Sequence, residues 1–367
     1  DQTTVEPEPP AQSKKHSSWA TCTPDYGVPM TERVPYDEFS MFGDNAAEYD
    51  IPYAGPPTVR RESVLVSGGR KMSALVWGTE SPQLVFLHGG AQNAHTWDTV
   101  ILALGAHGHG PVSAVCIDLP GHGHSDSAAP FEEGAAPLAQ NADDIAMVVR
   151  ALAPDARCII GMSLGGLTSI AFSQRYPDLA RRLVLVDITP GVNQEKTKQI
   201  TDFVNGPATF PSFDELLQRT MQFNPTRSEA SLRRGILHNA LQLDDGSWVW
   251  RYRRVDAPPL PEMRDAMAAN ESSNAPSTSA DASTPFTQKE RPSMNPLWDA
   301  VAAWGTSGKP LMFVRGMRKQ SVVTDEDEAA LLERVPQTRV EHVEEAGHSV
   351  QGDAPLELAA LLRDFAL

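Results

Sequence analysis

The chain has 367 residues, 41% of them hydrophobic and 21% charged, enough for a sizeable core in one large domain or two modest ones. Its 31 Lys and Arg against 47 Asp and Glu leave a net charge of −16, which argues against a nucleic-acid partner and against electrostatic docking on anionic membranes. No apolar run approaches the roughly 20 residues that cross a bilayer, and three cysteines exclude a disulfide framework, so a soluble globular protein is expected.

Residues 1–60 read as a largely irregular arm, rich in proline and small polar residues in text such as TTVEPEPPAQSKKHSS and YDIPYAGPPTVRR. Its scattered apolar residues, Trp19, Tyr26, Val28, Met30, Phe39, Met41 and Phe42, could still dock it on the folded body. From Glu62 the pattern changes. ESVLVS and KMSALVWG flank Gly68-Gly69 and predict an antiparallel hairpin. Six short apolar runs follow, QLVFLH, VSAVCID, ARCIIGM, RRLVLVD, KPLMFV and TRVEHVE, with helical patterns at 96–106, 139–152, 164–176, 326–334 and 355–365. That alternation predicts the α/β class, a mostly parallel sheet flanked by helices. The core is then residues 61–189 and 306–367. Residues 190–305 are too long for an ordinary connection and predict a helical subdomain between the sixth and seventh core strands. Aromatic, helical text runs there from ITDFVNG to GSWVWRYRRV, while 256–296 is Ser/Ala/Pro/Asn-rich and reads as a disordered insertion.

Three motifs carry chemistry. Gly161-Met162-Ser163-Leu164-Gly165-Gly166 lies between a strand and a helix, where a nucleophile on a tight turn needs small neighbours on both sides. His88-Gly89-Gly90-Ala91 follows another strand, so a glycine turn there can present the Gly90 N–H beside that of Leu164 as an oxyanion hole. Glu345-Ala346-Gly347-His348-Ser349-Val350 follows the last strand and offers His348 as the base that a serine hydroxyl requires. Each also has a plain reading, as a glycine-rich turn or a loop histidine. Strand–turn–helix context and order along the chain favour the chemical one. Among the other histidines, His107 and His109 read as a polar loop and His88 as structural. His122 and His124 suggest a metal pair that no further ligand completes, so no metal is expected. No G-x-G-x-x-G follows a strand and no P-loop appears, so no nucleotide cofactor is expected either.

HGG, DLPGHGHSD, GMSLGG, LVLVDITP and EAGHSVQGD stand in the order found in the α/β-hydrolase superfamily, and the chain resembles its capped serine hydrolases over 62–187 and 310–367. The resemblance implies Ser163 as nucleophile, His348 as base, Gly90 and Leu164 as oxyanion donors, and a structural Asp118. Members commonly carry the triad acid in the loop after the penultimate strand. Here that loop reads Arg315-Gly316-Met317-Arg318-Lys319-Gln320-Ser321-Val322-Val323 and has no carboxylate. The acid is then Asp187, at the end of LVLVD, or Asp325 and its neighbours Glu326 and Asp327, whose TDEDE text reads as a helix start behind Thr324. Asp187 is the favoured choice.

A serine nucleophile implies acyl transfer to water, and a carboxylic-ester hydrolase leads. Thioester, lactone, amide and carbon–carbon hydrolases use the same triad, and a hydrolase-fold protein that binds a small ligand or partner without turnover is the alternative from another class. Phe203, Phe210, Phe213, Met221, Phe223, Trp248 and Trp250 mostly read as the subdomain's own core. A few facing Ser163 would suit a hydrophobic or aromatic small-molecule ester. The acidic surface disfavours polyanionic substrates, although Arg251, Arg253 and Arg254 could offset that locally. Cys116 and Cys158 read as buried, reduced thiols, which leans towards a cytoplasmic location, and Cys22 has no obvious partner. Oligomeric state is not legible.

Overall fold

The computed structural model describes residues 33–106, 110–127, 137–191, 194–252 and 296–367. Trp19, Cys22, Tyr26, Val28, Met30, His107, His109, Arg253, Arg254 and nearly all of the 256–296 segment lie outside the described residues.

In chain order the elements are α1 (Phe42–Glu48), β1 (Val59–Leu65), β2 (Lys71–Trp77), β3 (Leu84–Leu87), α2 (Asp98–Gly105), β4 (Ala114–Ile117), α3 (Pro137–Leu152), β5 (Cys158–Met162), α4 (Leu164–Arg175) and β6 (Leu183–Val186). An inserted region follows, with α5 (Gln194–Val204), β7 (Thr209–Phe210), α6 (Phe213–Phe223), α7 (Glu229–Asn239), β8 (Ala240–Gln242) and β9 (Trp248–Trp250). The chain then closes with α8 (Pro296–Ser307), β10 (Leu311–Gly316), α9 (Asp325–Arg334), β11 (Arg339–Val343), α10 (Val350–Asp353) and α11 (Pro355–Ala366).

Eight strands make one mixed sheet in the order β1-β2-β4-β3-β5-β6-β10-β11. β2 pairs antiparallel with β1 and β4, and every other pair is parallel. The central strands are short, wholly apolar and buried on both faces, as a sheet covered by helices on each side demands. Alternation along β3 sorts its residues. Leu84 and Phe86 join the layer under α1, α2 and α11, while Val85 and Leu87 join the layer under α3, α4, α8 and α9. Phe313 on β10 is fully buried in that second layer. Phe313→Ala is expected to cost about 3–5 kcal/mol, read as a lowered denaturant midpoint at unchanged slope.

Three features differ from the sequence expectation. Within the arm, α1 is a regular helix although its Gly43, Asp44 and Asn45 are poor helix formers. Burial of Phe42 and Ala46 supplies what propensity lacks, with Phe42 edge-on to Trp77 at 5.0 Å. The inserted region is not purely helical, because β7, β9 and β8 form a small antiparallel sheet. Asp245-Gly246 turns the β8–β9 hairpin, with Gly246 at φ +85° and its N–H donating to Leu243 O at 3.0 Å. Finally, α8 buries Ala300, Val301 and Trp304 in the layer beneath the main sheet, so it packs with the core rather than with the inserted region.

Candidate active site

Parallel strands of an α/β sheet end together, and the groups of interest gather beyond the carboxyl ends of β3, β5, β6, β10 and β11. Ser163 stands between β5 and α4 at φ +51°, ψ −118°, a conformation that non-glycine residues adopt only when surrounding packing imposes it. The packing is tight enough to exclude side chains on either side. A Cβ on Gly161 would lie 2.5 Å from Gly165 O, and one on Gly165 would lie 2.2 Å from Leu87 O. The HGG turn is close as well, since a Cβ on Gly89 would lie 2.5 Å from Met162 Sδ and 3.3 Å from Ser163 Cβ.

His348 lies in the turn between β11 and α10, and its Nδ1 is 2.9 Å from Asp187 Oδ2. A carboxylate only accepts, so Nδ1 carries the hydrogen of this bond, which leaves Nε2 as the acceptor nitrogen of the neutral ring. Asp187 directly follows β6 at φ +47° and is completely buried. Its Oδ1 accepts from Gly316 N at 3.0 Å and from Ser321 Oγ at 2.6 Å, and its Oδ2 also accepts from Val322 N at 3.1 Å. The loop after β10 therefore contributes donors, and the carboxylate they hold arrives from the neighbouring strand. The other carboxylates point elsewhere. Asp325, its side chain 89% exposed, pairs with Arg315 at 2.8 Å, and Asp327 closes a capping box with Thr324.

Of the amides in the HGG turn, Gly89 N donates to Gln92 Oε1 at 3.2 Å and Ala91 N to His122 Nε2 at 3.1 Å. The N–H groups of Gly90 and Leu164 make no hydrogen bond among the described residues. Ala91 itself sits at φ +59°, with its carbonyl held by Asn239 Nδ2 at 2.7 Å. Asn93 Nδ2 in turn donates to Asn239 Oδ1 at 3.1 Å and to His238 O at 3.2 Å, so the end of α7 is fastened to the turn. Ser163, His348, Gly90 and Leu164 all line one cavity of about 600 Å³, roofed by the inserted region. Phe203, Phe223 and Trp250 reach this cavity, whereas Phe210, Phe213 and Trp248 pack within the inserted region's own core.

The remaining polar groups brace the site. Asp118 is fully buried, accepting from Arg61 Nη1 at 2.8 Å, Ala94 N at 2.8 Å and His124 N at 3.0 Å. Burial alone would raise its carboxyl, but the Arg61 charge, helped by those amides, holds it below the ordinary value. Burial pushes His88 down to about 3, and its neutral ring donates from Nδ1 to Gly89 O and accepts at Nε2 from Leu119 N. His122 is engaged by Pro120 O and Ala91 N, and His124 only approaches Asp118 at 3.9 Å, so this pair does not converge on a common point.

Sequence reasoning overlooked a second cluster, His95, Asp98 and His238, whose ligand atoms lie within 4.8 Å of one another. The His95 and His238 rings are stacked, 3.7 Å between centroids and 8° from parallel. A cation is held in the plane of an imidazole, so two parallel stacked rings offer it no shared point unless one of them turns. The cluster instead ties together three parts of the chain. Tyr36 OH is 3.0 Å from His238 Nδ1, and Glu38 Oε1 is 3.0 Å from His95 Nε2 and also pairs with Arg61. Burial would depress His95, but Asp98 at 2.8 Å and Glu38 overcome it and lift it to about 9. Because that value exceeds the ordinary 6.5, folding favours the charged ring; the stabilisation is complete below about pH 6.5 and is lost as pH rises through about 9. The denaturant midpoint should therefore fall between pH 7 and pH 9.5, and His95→Gln should flatten that fall.

The sequence profile of the Alpha/beta hydrolase family matches residues 84–361. The chain belongs to the alpha/beta hydrolase family. Within it, the chain is 39% identical over 340 residues to esterase Rv0045c of Mycobacterium tuberculosis, covering 90% of this chain and 96% of that one. A solved structure of that esterase superposes with a TM-score of 0.66 over 90% of this chain and 99% of the other, at 38% identity. Pimeloyl-[acyl-carrier protein] methyl ester esterase of Nitrosospira multiformis is 36% identical over 112 residues, 30% of this chain and 40% of that protein. No helix among the described residues is long and apolar enough to cross a membrane.

Proposed function

We propose that the chain is a carboxylic-ester hydrolase working through an acyl-enzyme, with Ser163 as nucleophile, His348 as base, Asp187 as the acid of the triad, and the N–H groups of Gly90 and Leu164 as the oxyanion hole. The observation that carries this is the His348–Asp187 hydrogen bond of 2.9 Å in the wall of a cavity shared with Ser163. His348 Nε2 takes the hydroxyl proton as Ser163 Oγ attacks the ester carbonyl. The two free amides stabilise the tetrahedral oxyanion, and the imidazolium passes its proton to the departing alkoxide. Water, deprotonated by the same nitrogen, then attacks the acyl-enzyme and releases the carboxylic acid. Asp187 holds the ring in the tautomer that makes both transfers possible.

In this reading the described part of 190–305 from α5 to β9 acts as the cap, while α8 packs with the core. Phe203, Phe223 and Trp250 give the cavity an apolar side, which suits an ester with a hydrophobic body. A binder without turnover is suggested by a loop lacking its carboxylate, and the Asp187 carboxylate occupies that loop. A fluorophosphonate probe tests the reading together with a series of p-nitrophenyl esters of graded length. Labelling at Ser163 and ester turnover are expected; an intact protein that neither labels nor turns over any ester contradicts it.

A further inference from the structure

The wall of the cavity runs against the charge of the chain. The whole carries −16, yet among the described residues the lining includes four basic side chains, Lys196, Arg227, Arg234 and Lys319, and one carboxylate, Asp353. Arg234 is occupied by Asn45 and Glu48, and Lys319 is exposed at the rim. Arg227 is different. It stands in the link from α6 to α7, is only partly exposed, and makes no ion pair within 4.0 Å among the described residues. Its Nη2 donates to Ser231 Oγ at 2.5 Å and its Nε is buried without a partner. Its Nη1 lies over Gly352, where a Cβ would come within 2.5 Å of it. Gly352 belongs to α10, which begins two residues after His348, so this guanidinium is placed beside the loop of the base.

A guanidinium in a partly desolvated wall with no counter-ion is stabilised when an anion arrives, and its planar fork matches a carboxylate better than an ammonium would. Asp353, held by Gly347 N and Thr226 Oγ1, lies on the same short helix and limits the local surplus of positive charge, which favours a singly charged group. We propose that Arg227 receives a carboxylate borne by the substrate, so that the preferred substrates are esters with a second, ionised acid group on an apolar spacer, such as the half-ester of a dicarboxylic acid. This rests on the esterase reading above and specifies its substrate class.

The test compares mono-p-nitrophenyl adipate with p-nitrophenyl hexanoate on the intact protein. The half-ester should have the higher kcat/KM, with an advantage that shrinks as salt is raised. In Arg227→Met the ratio of the two kcat/KM values should fall by about tenfold or more, through KM, and Arg227→Lys should restore part of it. Equal turnover of both esters by the intact protein, or a ratio that survives Arg227→Met, overturns the proposal. Failure of the intact protein to hydrolyse the half-ester overturns the proposal, whereas failure to label with the fluorophosphonate probe or to turn over any ester of the series overturns the esterase reading. Should Arg227→Met not fold, inhibition of hexanoate hydrolysis by adipate against adipamide decides: a preference for adipate supports the proposal, and no preference overturns it.

Discussion

Ser163→Ala is expected to lower kcat on a p-nitrophenyl ester by at least about 10⁴-fold and to abolish fluorophosphonate labelling, with the thermal midpoint little changed. The substitution removes one oxygen and leaves the strained turn intact, because alanine keeps the Cβ and Ser163 N still reaches Val186 O. Any residual rate would come from direct attack by water, with the Gly90 and Leu164 amides, by the proposed reading, still stabilising the carbonyl oxygen. Near-normal turnover by Ser163→Ala would remove the acyl-enzyme from consideration, whatever happened to stability.

Asp187→Asn should be nearly as damaging to activity, by about 10⁴-fold, and should also destabilise by about 1–3 kcal/mol. Four donors converge on this carboxylate, from Gly316 N and Ser321 Oγ at one oxygen and from Val322 N and His348 Nδ1 at the other. An asparagine accepts at one end only. Whichever way its amide is turned, an NH₂ faces a backbone N–H, and with the NH₂ towards His348 the imidazole is driven into the wrong tautomer. Asp325→Asn provides the contrast, since that side chain is exposed and pairs only with Arg315. It should change stability by no more than about 0.5 kcal/mol and leave kcat/KM close to normal. A reversed pair of results would move the acid to α9.

The main sheet was legible because each central strand is a short, uninterrupted apolar run, and the Ser163 turn because its glycines are compulsory at contact distances near 2.5 Å. The carboxylate that pairs with His348 was legible only as a choice between Asp187 and the Asp325 group. Nothing in RGMRKQSVV says that Ser321 and the Val322 amide would turn inward to hold a carboxylate from another strand. Trp248–Trp250 was misread because three apolar residues have no period to distinguish strand from helix, although Asp245-Gly246 beside them was a hairpin signal. α1 was missed because its stability comes from tertiary burial of Phe42 and Ala46. The grip of Asn239 on Ala91 and the stacked His95 and His238 join residues some 140 positions apart, and no local pattern encodes such pairings.

That grip has a dynamic corollary. Ala91 is clamped at its N–H by His122 of the core and at its carbonyl by Asn239 of the inserted region, on either side of its left-handed Cα. Were the inserted region to swing away to admit a bulky molecule, Asn239 would leave the Ala91 carbonyl, and the neighbouring Gly90 amide, the proposed oxyanion donor, would lose that support. The enzyme would thus be chemically silent while agape and armed only once shut, which guards the bound acyl group from premature loss and makes the rate of reclosing a candidate ceiling on turnover.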